Sequence, residues 1–193
     1  MWQNGRLILK ERVENKLVVF YSMICIVFTA ICFFAFLNYG YPIIRILRYL
    51  FLINMLILLA YIDYKKAIIP NKILLIMLGV RIGFLAIECA FYKDLIYSIL
   101  LSAFLGLTIG SGVFLLASFI IKNSLGMGDV KLMGVIGFFV GITDLFSCML
   151  LSLIISLAVG VALIIVKKIT SKDFIPFAPF LALGTIITLI FKL

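Results

Sequence analysis

Asp63 and Asp129 are the acids of this chain placed where carboxylates could do chemistry. Asp63 closes the apolar run Phe51 to Ile62, and Asp129 closes the glycine-flanked stretch Gly126-Met127-Gly128-Asp129. A carboxylate at a membrane boundary is costly unless it is paired, solvated or used, so two of them form the leading candidate site. Brought close together, two carboxylates cannot easily both ionise; they hold one proton between them and titrate as a unit. Such a pair can hydrolyse an amide. The ionised member takes a proton from the attacking water, while the protonated member hydrogen-bonds the carbonyl oxygen and later supplies the leaving amine. The chain has no histidine. Ser-His and Cys-His triads and a Cys/His zinc site are thereby excluded, and any hydrolysis must rest on carboxylates.

Each aspartate also has a plainer reading. Asp129, preceded by glycine and followed by an apolar helix, is a good N-cap, where a carboxylate accepts backbone N–H bonds and meets the positive end of the helix dipole. Asp63 at the end of a helix opposes the dipole, and Lys65 and Lys66 can offset that cost. Spacing alone leaves a shared site and two separate roles both open.

The elements that must position these residues are apolar. With 66% hydrophobic residues, 13% charged residues and a mean hydropathy of +1.34 over 193 residues, most of the chain cannot be the surface of a water-soluble globule. The apolar runs are continuous, without the alternating ten-residue segments of a membrane barrel. An exposed strand edge in lipid leaves backbone groups unsatisfied. The fold class expected is therefore all-α, a polytopic integral membrane bundle of about seven transmembrane helices, six to eight at the outside. Spans are expected near Leu17–Leu37, Ile43–Ile62, Ile73–Phe91, Leu95–Ile121, Val130–Ile142, Leu145–Val166 and Phe177–Phe191. The fifth, about 13 residues against the roughly 20 that a crossing needs, is expected to be sheltered by its neighbours or to sit where the bilayer is thin. No soluble domain, repeat or linker interrupts 1–193, which reads as one membrane-embedded domain. Residues 1–16 form a cytoplasmic segment in which Trp2, Leu7 and Ile8 fit a short interfacial helix. The run from Leu17 is too long for a signal-peptide core and lacks a small-residue cleavage site, so a cleaved signal peptide is not expected.

Lysine and arginine set the orientation. One side collects Arg6, Lys10, Arg12, Lys16, Lys65, Lys66, Lys72, Lys122, Lys131, Lys167, Lys168 and Lys172; the other collects Arg45, Arg48, Lys93 and Lys192, with Arg81 inside the third span. The richer side is expected to be cytoplasmic, and both Asp63 and Asp129 fall on it. The net charge of +9 is then mainly a topological signal that also draws anionic lipid, and nucleic acid is not an expected partner. Cys25, Cys32, Cys89 and Cys148 lie in apolar spans with no C-x-x-C pair, which argues against disulfides, and no metal or cofactor is expected.

Small residues at four-residue spacing, Ser102, Gly106 and Gly110 in span four and Gly137 and Gly141 in span five, let helix backbones approach closely. Tight packing there would brace the segment that carries Asp129. Gly126 and Gly128 allow the backbone to approach an extended substrate or to bend ahead of span five. Pro70, with Asn71 after it, stops the segment beyond Asp63 from continuing as helix. Lys131 can favour the ionised form of Asp129, hold a lipid phosphate, or simply serve orientation. Arg81 and Glu88, seven apart, share a face of span three and are expected to pair. Asp94, Asp144 and Asp173 read as solvated turn residues.

The wording around the two aspartates resembles a known family. An aspartate at a span end followed by Ile69-Pro70-Asn71, then Gly126-Met127-Gly128-Asp129-Val130-Lys131-Leu132, then Ile175-Pro176-Phe177-Ala178-Pro179-Phe180-Leu181-Ala182-Leu183-Gly184, is similar to the type 4 prepilin peptidases, over about Leu50 to Gly184. G-x-G-D alone also occurs in presenilin-type intramembrane proteases, but their C-terminal Pro-Ala-Leu is absent here. The resemblance implies an aspartic endopeptidase of the cytoplasmic membrane. It would cut the short basic leader from prepilins or pseudopilins at the cytoplasmic face, with Asp63 and Asp129 as its catalytic pair. Long members carry paired C-x-x-C motifs associated with N-methylation of the product. None occurs here, so a short, peptidase-only form is expected. Two other classes stay open on the residues: an ion- or proton-coupled transporter, and a catalytically silent pilus or secretion assembly factor. The oligomeric state is not legible.

Overall fold

A computed structural model describes residues 26–120, 126–166 and 175–192. The chain divides into two compact units, Met1–Gly40 and Tyr41–Leu193. In the first, the described part is an apolar helix, α1 (Ile26–Asn38), ending in a turn at Gly40, whose φ of 69° is left-handed. The expected interfacial helix, the start of the first span, Lys122, Lys167, Lys168, Lys172 and Asp173 lie outside the described residues.

Helices joined by short connections are the regular structure of the second unit's described residues. It comprises α2 (Ile43–Lys66), α3 (Asn71–Phe91), a single 3-10 turn at Lys93–Leu95, α4 (Ile96–Ile120), α5 (Met127–Val140), α6 (Ile142–Ile165) and α7 (Ala178–Phe191). The seven helices match the seven expected segments. Four of them, α2, α3, α4 with the turn before it, and α6, are long and apolar enough to cross a membrane. The others are shorter. At 14 residues, or about 21 Å, α5 falls short of the roughly 30 Å hydrocarbon core. Its neighbours shelter it: between Asp129 and Val140 every residue except Lys131 is buried. A short helix that is apolar on all sides is a core element, and α5 is packed by α4 above all, and also by α2, α3, α6 and α7.

The close approach of α4 and α5 follows from the spaced glycines. A Cβ on Gly106 would collide with the Gly137 carbonyl, one on Gly137 with the Gly106 carbonyl, and one on Gly110 would stand 2.9 Å from the Met133 carbonyl oxygen. A second crossing of this kind joins α6 to α7, where a Cβ on Gly184 would run into Ser152. At each crossing backbone atoms are among the obstructions, so no rotamer change alone relieves them. Gly106→Ala is therefore expected to cost roughly 1–3 kcal/mol by overpacking. Gly79→Ala, on a face of α3 with nothing within 4 Å, is expected to cost nothing or to stabilise slightly. Thermal unfolding of the two variants in detergent checks the opposite signs.

Two of the boundaries that differ from expectation lie at the aspartates. The second helix runs one turn beyond Ile62 to Lys66, so Asp63 lies inside its last turn and does not close it. Lys65 reaches back over the Tyr61 ring, 4.6 Å from its centroid, keeping its charge at the boundary while the helix continues. Ala67, left-handed at φ 50°, then ends α2 by donating its N–H to the Asp63 carbonyl. At α5 the N-cap is Gly126, and Asp129 is the third helical residue.

Candidate active site

Asp63 and Asp129 reach a common region from different helices, and each is tied to a helix N-terminus. Asp129 Oδ2 accepts the N–H of Gly126, 3.3 Å away, closing the first turn of its own helix. Asp63 Oδ2 accepts the N–H of Ala178, 3.1 Å away and 115 residues further along the chain. Ala178 is the first residue of α7, so the positive end of that helix offsets the unfavourable position of Asp63 at the end of α2. Lys65 and Lys66 are also expected to offset that position. Both lysines are exposed, and the hydrogen bond comes from α7. Pro179 at the start of α7 was the available signal for a helix N-terminus there, and nothing in the sequence pointed that terminus at Asp63.

Both carboxylates are buried, with Asp63 4% and Asp129 5% exposed. Asp129 Oδ1 has no hydrogen-bond partner among the described residues. Burial first, and the charge of Asp63 second, push the Asp129 carboxyl up to about 6, against the opposing pull of the Gly126 N–H. An ionisable group shifted toward neutrality, with one oxygen unengaged and a second carboxylate acting on it, can keep a proton where most aspartates have lost theirs.

The supporting residues find structural places. The side of Gly128 faces Ile69, whose Cβ would lie 3.1 Å from an added methyl, so the absence of a side chain there admits the α2–α3 connection. Gly126 would bring a Cβ to 3.2 Å from Asp129 Oδ2, and so keeps space around the carboxylate it caps. Pro70 is the N-cap of α3, three residues past the Ala67 stop, and Asn71 opens that helix. Lys131 Nζ donates to Asn71 Oδ1 at 3.1 Å, an exposed bond that ties α5 to α3 beside the aspartates. Next to it runs an apolar groove of about 510 Å³ between α3, α4 and α5, lined by Leu74, Leu75, Leu78, Leu107 and Val135. The start of α7 is packed by Phe177, whose ring lies 5.9 Å from that of Phe114 on α4.

At the far end of the same helices lies a buried ionic chain. Glu88 pairs with Arg81, as expected, at 2.9 Å, and also with Arg48 at 2.7 Å. Arg81 Nε donates to the Phe138 carbonyl at 2.8 Å. Arg48, one of the basic residues counted on the poorer side, is buried on α2, and its partner 40 residues away could not be found from local pattern. Asp94 is exposed in the 3-10 turn, as read, whereas Asp144 lies in the first turn of α6 and accepts a 3.3 Å hydrogen bond from the Tyr49 hydroxyl.

The model of the Type IV leader peptidase family matches residues 50–191, which span both aspartates and α3 to α7. The chain belongs to this family. It is also 32% identical over 142 residues to the prepilin leader peptidase/N-methyltransferase of Bacillus subtilis (strain 168), an alignment that covers 72% of this chain and 53% of that protein. The chain thus spans about half the length of that curated relative. No solved structure matches. Family membership and four helices able to cross a bilayer make this an integral membrane protein of a peptidase family.

Proposed function

We propose that the chain is a membrane aspartic endopeptidase that removes the leader from prepilins or prepilin-like proteins at the cytoplasmic face, with Asp63 and Asp129 as its dyad. The observation that carries this reading is the pair of buried carboxylates on α2 and α5, each held by one backbone N–H, with the charge of one acting on the other. Asp129, with its raised carboxyl and free Oδ1, is the acid that meets the scissile carbonyl. Asp63, anchored on Ala178, is the base that takes a proton from water. The proton then returns through Asp129 to the departing amine, and no covalent intermediate forms. The apolar groove beside Asn71 and Lys131 fits the apolar helix that follows the cut in such substrates. The lysine and arginine bias supports placing both aspartates on the cytoplasmic side of the cell membrane.

The test is cleavage of a prepilin-like substrate by the purified protein in lipid. Shortening by the leader length is the expected result. An intact substrate together with dissipation of an imposed ion gradient would overturn the reading in favour of a transporter. The pH profile adds a second readout. Above about 6 Asp129 loses the proton its role requires, so the rate is expected to fall about tenfold per pH unit on that limb. On the acid side, protonation of the base produces the other limb of a bell. A rate that rises steadily from pH 6 to about 9 would contradict these assignments.

A further inference from the structure

The end of the bundle opposite the aspartates contains a cavity of about 500 Å³ that the peptidase reading does not use. It lies between α2, α3, α4, the α5–α6 turn and the end of α7. Arg48, at its wall, and Asp63 are fifteen residues apart on one helix, or about 22 Å. Four cations line the cavity, Arg45, Arg48, Arg81 and Lys192, against two acids, Glu88 and Asp144. Glu88 is already engaged by two arginines and Asp144 by the Tyr49 hydroxyl, and among the described lining residues cations outnumber acids.

The arrangement of that charge points to a ligand. Arg48 is only 7% exposed, yet its Nε has no hydrogen-bond partner among the described residues. A buried guanidinium donor left unengaged costs stability unless an acceptor meets it. Arg45 and Lys192 both reach over the Tyr41 ring, at 5.6 and 5.3 Å from its centroid, and so add two cations to this end of the bundle. Hydroxyls of Ser98, Ser102 and Thr143 add donors to the lining. Guanidinium forks with hydroxyl donors suit the oxygens of a phosphate. Leu95, at the lining, is 56% exposed, so the mouth adjoins apolar surface of the kind that acyl chains cover.

We propose that this cavity is a phosphate-binding site, taking either the headgroup of an anionic phospholipid or free phosphate, at the end of the bundle remote from the aspartates. Guanidinium and ammonium groups grouped at a helix-lined mouth can hold a phosphate oxygen by charge-assisted hydrogen bonds whatever group carries it.

The experiment is thermal unfolding of the full chain in neutral detergent, with phosphatidylglycerol, phosphatidylcholine or inorganic phosphate added at matched ionic strength. The same titrations are run on the double variant R45Q/K192Q. Both side chains are exposed, so the variant keeps the buried chain of Arg48, Glu88 and Arg81. A saturable rise in midpoint with phosphatidylglycerol but not with inorganic phosphate identifies the lipid headgroup, and a rise with inorganic phosphate as well identifies the free anion. In either case the variant is expected to bind at least about tenfold more weakly, since a ligand stabilises only in proportion to its occupancy. No saturable gain with any anionic probe, or an equal gain in the variant, overturns the proposal. Leader cleavage by the variant stays unchanged on this view, so the outcome is separate from that of the peptidase reading.

Discussion

Asp63→Asn and Asp129→Asn are each expected to slow leader cleavage by about 100- to 10,000-fold, the range general acid–base groups supply. The carboxamide oxygen can still accept the N–H of Ala178 at position 63 or of Gly126 at position 129, so the backbone anchors survive. Removing an ionisable group from a site only 4% or 5% exposed also lifts a burial cost. The thermal midpoint of either variant is therefore expected to stay level or rise while activity is lost. That divergence separates chemistry from folding. Processing of a prepilin-like substrate in membranes at the native rate by either variant would rule out the dyad.

Glu88→Gln has the largest expected effect on stability. Its carboxylate is the shared acid between Arg48 and Arg81, and neutralising it leaves two buried guanidinium groups facing each other without an anion. Breaking a buried pair in this way costs about 3–5 kcal/mol, because the surviving charge is uncompensated. Unfolding of the variant in detergent should show that loss. Asp94→Asn, an exposed acid on the neighbouring turn, should remain within about 0.5 kcal/mol of the parent. A small effect at Glu88 would mean that water reaches the two arginines and carries their charge.

The helices were legible because each is a continuous apolar run, and the shortness of the fifth could be read directly from Val130 to Ile142. Its place at the centre could not. Burial on all sides is a property of the neighbours, and the residues of α5 are no more apolar than those of α6, which faces outward over much of its length. The two aspartates were legible as costly charges with a glycine frame. The donor from Ala178 was not, since it crosses 115 residues of chain and depends on how α7 begins. The extra turn of α2 was hidden by Tyr64, Lys65 and Lys66, polar residues that resemble a loop in composition yet remain good helix formers at a membrane boundary. Arg48 was hidden for the same reason as Ala178: its meaning lies in Glu88 on another helix.

The glycine contact between α4 and α5 bears on how a peptide gets in. Where Gly106 and Gly137 meet, carbonyl lies against Cα with no side chain between them to swing aside, so these two helices form a closed wall. A door in that wall would need whole helices to part. Any movement that admits an extended chain to Asp129 has to come from the other partners of α5, where side chains and helix ends make the contacts. The Asn71–Lys131 bond on the α3 side is an exposed latch of that kind, and one that water can replace at little cost.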